Sequence, residues 1–126
     1  MYKGKGKLEI RNGIRIIVNY DLIRYYQKLF SFYTYKTVKF QSPMHGSHIS
    51  IYLPKIHGSI DLSSVNYLNG VDIEFEYHPD SFTITKKNVW MKVVCPLADE
   101  IKKKLDIVDK NFLGYHLTIL NFKFDI

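Results

Sequence analysis

The most regular alternation in the chain is VDIEFEY, which sets Val71, Ile73, Phe75 and Tyr77 on one face and Asp72, Glu74 and Glu76 on the other. Residues two apart share a face of a β-strand, so the run predicts a strand with one buried and one wet side. KLEIRNGIRIIV holds two shorter alternating runs about Asn12-Gly13, a dipeptide that tolerates the positive φ of a tight turn, and predicts a hairpin from Lys7 to Val18. In NYDLIRYYQKLFSFY the spacing changes to three and four. Leu22, Tyr25, Tyr26, Leu29 and Tyr33 recur on one helical face behind Asn19, a residue suited to capping, so a helix is expected from Tyr20 to Phe32.

Farther on, KTVKF is a short strand candidate, QSPMHG breaks it, and SHISIYL resumes strand character until Pro54 removes a ladder donor. KIHGSIDLSSVNYLNG is rich in turn residues and reads as a surface loop. HPDS reads as a turn, followed by strands FTIT and NVWMKVV. Pro96 then opens a second helix over about Leu97 to Leu105, with Asp99 and Glu100 in its first turn. DIVDKNFLG is a loop and YHLTILNFKF the last strand. Each half of the chain holds one helix among antiparallel strands, which implies an α+β fold with helices against the outer faces of a curved sheet.

With 126 residues, of which 46% are hydrophobic, the chain suits a single domain spanning 1–126. Its apolar runs fall far short of the roughly 20 residues that cross a bilayer, and no apolar signal core follows the basic start MYKGKGK. The expectation is a cytoplasmic protein with no membrane partner. One cysteine, Cys95, excludes an internal disulfide and a thiolate-rich zinc site, and its setting VVCPL suggests a buried small hydrophobe. Eighteen basic residues against 12 acidic ones leave a formal charge of +6, which favours a polyanionic partner.

Two stretches change that general picture. SHISI at 47–51 and YHLTI at 115–119 both read His-x-hydroxyl-apolar. On a strand, His48 shares a face with Ser50 and His116 with Thr118, while Ile49, Ile51, Leu117 and Ile119 turn to packing. If the two strands lie side by side, four polar groups converge on a volume the size of a phosphate. Such a set suits phosphodiester cleavage without a metal. One neutral imidazole takes a proton from the attacking hydroxyl, the other as imidazolium protonates the departing oxygen, and the two hydroxyls donate to the non-bridging oxygens. The residues alone do not say which histidine is base and which is acid.

The paired motifs resemble those of the two-histidine (2H) phosphoesterases, and their separation of 68 positions (116 − 48) is similar to that of the smaller members. SPMHGSHISIYL, GVDIEFEYHPD, the Trp90 strand running into CPLADEIKKKLDI, and GYHLTI look more narrowly like the phage branch described as RNA-repair-like, which includes the anti-CBASS nuclease. The likeness extends over about Lys5 to Phe122. It implies a bilobal, pseudo-symmetric fold with a central cleft between antiparallel strands, and it carries catalytic roles over to His48, Ser50, His116 and Thr118. It further implies a substrate among cyclic di- or trinucleotides, with evasion of host CBASS immunity as the purpose and the host cytoplasm as the place. No cofactor and no obligatory metal are implied.

Other residues are weaker candidates. His45, Trp90 and Tyr115 are candidate ligand contacts: His45 lies three positions before His48, and either aromatic could stack on a base. In a regular strand Tyr115 points away from His116. His57 and His78 sit in turn-rich segments and read as surface residues, and no His-x3-His pattern supports a metal site. Lys39, Lys92 and Arg15 are available to neutralise phosphates. The same four central residues also suit processing of RNA ends that carry 2′,3′-cyclic phosphates, and a non-catalytic binder that sequesters nucleotides is the reading from another class.

Overall fold

The computed structural model describes residues 2–34, 39–43, 46–108 and 114–122, apart from the side chains at 33 and 81. The alternating segments form strands β1 (Tyr2–Ile10), β2 (Ile14–Val18), β3 (Phe40–Gln41), β4 (His48–Tyr52), β5 (Asp72–Ile84), β6 (Asn88–Val94) and β7 (Tyr115–Phe122). The helices are α1 (Tyr20–Tyr33), α2 (Pro54–His57) and α3 (Pro96–Lys104), with a 3₁₀ turn at Asn66–Leu68.

Among the described residues every strand pairing is antiparallel, in the order β7-β4-β2-β1-β5-β6, and β6 returns to pair with β7. The sheet therefore closes into a six-stranded barrel, and β3 adds a short strand beside the Asn121–Phe122 end of β7. Closure leaves these six strands no long free edge. The α+β composition agrees with the sequence pattern, while the curved sheet goes further and meets itself. With β3, α2 and the 3₁₀ turn set aside, the chain runs β1-β2-α1-β4 and then β5-β6-α3-β7. The same order occurs twice, and exchanging the halves reverses the ring onto itself.

The core is the buried half of each alternation. Leu8, Ile16, Ile49, Ile51, Phe75, Met91, Leu117 and Ile119 are almost wholly buried. Of the VDIEFEY run, Ile73, Phe75 and Tyr77 are buried as the pattern requires, whereas Val71 precedes the strand and is 40% exposed. The two longer helices leave from opposite ends of the barrel, α1 where β2 ends and α3 where β6 ends. Asn19 caps α1, its side chain accepting the Asp21 N–H at 2.9 Å, and Tyr26 reaches the rings of Tyr77 and Phe82. Pro96 opens α3, Ala98 and Ile101 are buried, and Lys102, Lys103 and Lys104 sit at its C-terminal end, where the helix dipole favours cations.

Several details depart from the sequence reading. HPDS is no turn: β5 runs through it, and its register against β6 shifts between His78 and Thr83, the tolerance for Pro79 that an irregular ladder gives. The first hairpin turns over three residues, Arg11 to Gly13, and Gly13 does not have positive φ. A side chain at Gly13 would bring its Cβ within 2.6 Å of the Tyr52 carbonyl oxygen, so close approach explains the glycine. The stretch expected to be a loop after Leu53 contains α2 and the 3₁₀ turn, and its Val65 is fully buried.

Candidate active site

Strands β4 and β7 lie side by side, and Ile49 is the register partner of Leu117. Both of these side chains are buried, so the residues on either side of them face the opposite side of the sheet. His48 and Ser50 therefore flank this pair on β4, as Thr118 and His116 flank it on β7. The four polar side chains thus make a polar rectangle around the Ile49–Leu117 pair, an imidazole and a hydroxyl from each strand.

The neighbouring ladders flank the rectangle on both sides. Ile17 pairs with His48 and Trp90 with Thr118, while Arg15 pairs with Ser50 and Lys92 with His116. Trp90 also meets His116 across the diagonal, with ring centroids 5.2 Å apart and planes tilted by 49°.

Each histidine is held differently. The His48 Nδ1 lies 3.1 Å from the Gly46 carbonyl oxygen, which can only accept, so Nδ1 carries a proton and Nε2 is the nitrogen that gains or loses one. His116 has its pKa lowered from the ordinary 6.5, first by burial of the ring and second by the charge of His48.

Immediately after Thr118 the β6–β7 ladder slips, with Trp90 opposite Thr118 but Val89 opposite Leu120. The extra residue is Ile119, and both it and Leu120 are fully buried. A buried hydrogen bond of 2.7 Å from the Gln27 amide of α1 satisfies the Ile119 carbonyl. Gln27 thereby ties α1 to the strand that carries half of the rectangle. The sequence reading passed over it, because a lone glutamine in an amphipathic helix carries no signal of what it meets.

Not every sequence candidate reaches the site. Tyr115 does not: it is 4% exposed, and its phenol donates to Asp99 Oδ1 at 2.8 Å, which fastens α3 to the barrel and leaves no face for a base. Burial, with Asp99 second, pushes its pKa up. Its role as a ligand contact is corrected to a structural one. His45 lies outside the described residues. Lys39 precedes β3, which pairs beyond the rectangle at the far end of β7. His78 is the register partner of Lys92, and His57 stands on α2, where its Nδ1 accepts the Leu53 N–H. Cys95 is buried with a raised thiol pKa, chiefly from burial.

The basic surplus is unevenly used. Lys3 pairs with Glu74 at 3.6 Å and Lys7 with Asp72 at 3.9 Å on the β1–β5 wall, on the opposite side of the ring from β4 and β7. Arg15 and Lys92 are the cations in register with the polar rectangle. Among the described residues no three His, Cys, Asp or Glu side chains gather as a metal ion would require, and no helix is long and apolar enough to cross a membrane. Comparison with known proteins returns no matching family model, no matching curated protein and no matching solved structure.

Proposed function

We propose that the protein is a metal-independent phosphodiesterase of the two-histidine type, acting on cyclic oligonucleotides. The observation that carries this reading is the Ile49–Leu117 pair, which brings two separate His-x-hydroxyl motifs onto adjacent strands. A phosphate between them meets an imidazole and a hydroxyl from each strand. The repeated β-β-α-β order supports the bilobal, pseudo-symmetric arrangement implied by the motif resemblance, with β4 and β7 as equivalent strands.

His116 is the base. Its lowered pKa keeps it neutral at physiological pH, ready to take the proton of the attacking hydroxyl. His48 is the acid: the Gly46 carbonyl stabilises the proton on Nδ1, and Nε2–H is given to the departing oxygen. Ser50 and Thr118 donate to the non-bridging oxygens, where charge grows in the transition state. Trp90, beside His116, offers a face on which a base stacks. With that substrate class the biological purpose follows from the resemblance: destruction of the cyclic signals of CBASS immunity by a phage-encoded enzyme in the host cytoplasm.

His116 keeps solvent-exposed surface beside the part of its ring that Trp90 covers, which also suits a strand end, so RNA 2′,3′-cyclic phosphates are the second substrate class. Incubation of the full chain with cyclic di- and trinucleotides and with 2′,3′-cyclic-ended RNA in excess EDTA, followed by chromatography, tests both. Linearised or opened product supports the reading, and intact substrate throughout removes it.

A further inference from the structure

Exchange of the two β-β-α-β halves superposes β2 on β6, and the position opposite the hydroxyl residue of each motif is then Arg15 in one half and Trp90 in the other. Where the second half presents an aromatic ring, the first presents a guanidinium. The flanks of the site are therefore chemically unequal, one suited to a base and the other to an anion.

Arg15 is also held away from the scissile position. Its Nε donates to Glu9 Oε1 at 2.9 Å, and Glu9 is its register partner on β1, on the far side of β2 from β4. Strands are about 5 Å apart, so Arg15 stands one strand beyond Ser50 and two beyond His116. The Glu9 contact engages one edge of the guanidinium; among the described residues Nη1 and Nη2 have no other partner, and the side chain is 36% exposed. That leaves a preset pair of donors suited to two oxygens of a phosphate. Lys92, level with His116 on the opposite flank, is the cation nearer the base.

Building on the phosphodiesterase reading, we propose that Arg15 binds a second phosphate of the ligand while the first lies in the His48–His116 rectangle, so that the site selects substrates with at least two phosphodiester groups. Glu9 is the positioning residue that fixes the guanidinium edge. A cyclic mononucleotide, with a single phosphate, gains nothing from Arg15.

The test is calorimetric binding to the full chain in the H116A background, which preserves the ligand during titration. The probes are cyclic di-AMP and 2′,3′-cyclic AMP. Adding R15Q is expected to weaken cyclic di-AMP roughly ten- to hundredfold, the range for one charge-assisted contact, and to leave 2′,3′-cyclic AMP within about twofold. R15K, which keeps the charge but not the paired donors, recovers part of the loss. Equal weakening of both ligands marks a structural effect and overturns the proposal, as does unchanged or undetectable binding of cyclic di-AMP in the H116A parent. Turnover by the wild-type chain is scored separately. A selective R15Q loss without any wild-type cleavage keeps the second-phosphate contact and removes the catalytic reading alone.

Discussion

Gly6→Ala is the sharpest probe of the barrel wall that supports the site. Where backbone conformation allows it, glycine to alanine ordinarily stabilises a protein by about 0.4–1 kcal/mol through the unfolded chain. Gly6 lies in β1 without positive φ, so conformation alone predicts a gain. Contact predicts the reverse. A Cβ there would fall 2.5 Å from the Ile17 carbonyl oxygen and 2.6 Å from the Ile16 Cγ2, and the carbonyl belongs to backbone that cannot swing aside. Overpacking of this kind costs about 1–3 kcal/mol, which outweighs the entropic gain and leaves a net loss of about 0.5–2.5 kcal/mol. For a chain of this size that corresponds to a fall in Tm of very roughly 2–10 °C, readable by calorimetry and urea titration. Ile17 is the register partner of His48, so relief of the clash by movement of β2 should also reduce turnover. A Gly6→Ala protein with unchanged or higher Tm would refute the described β1–β2 packing.

Three further outcomes follow from the site. With His116 needed neutral and its pKa lowered, the acidic limb of kcat/KM should lie below pH 6.5, and Trp90→Ala, by admitting water to the ring, should move that limb up toward 6.5. An acidic limb already at or above 6.5 in the wild type would contradict the assignment of His116 as base. Ser50→Ala and Thr118→Ala should each lower kcat less than loss of a histidine, by about 10-fold to 10²-fold, with the pH profile kept; a changed profile would mean that the hydroxyls take part in proton transfer. A ribonucleotide holds its 2′-hydroxyl beside the scissile phosphorus, so cleavage should pass through a 2′,3′-cyclic phosphate, and a 2′-deoxy analogue should bind but resist; equal rates would show attack by water.

The strands and the two longer helices were legible because each depends on periodicity within a few residues. Alternation alone sends Ile49 and Leu117 to packing and His48, Ser50, His116 and Thr118 to the opposite face. Closure of the sheet was not legible, since it depends on β6 meeting β7 as well as β5, a pairing that no local pattern encodes. The same is true of YKGKG. Its glycines weaken a strand by propensity, yet β1 begins at Tyr2, because Gly6 answers to the close approach of Ile17. Arg15 and Lys92 were named as cations without a place, and only the ladder registers separate them from Lys39. Tyr115 misled because adjacency to His116 in sequence means opposite faces on a strand, and Asp99, 16 residues away, claims its hydroxyl.

The central claim is that His48 and His116 act as one acid–base unit on a single phosphodiester. Its most direct test is single-turnover kinetics on a cyclic dinucleotide in EDTA, for the wild type, His48→Ala, His116→Ala and the double variant, with folding of each checked by circular dichroism. The account predicts that each single variant loses about 10²–10⁴-fold, and that the double variant loses little more than either, as groups acting in one step do. A single variant with wild-type turnover, or losses in the double variant that multiply, would contradict it.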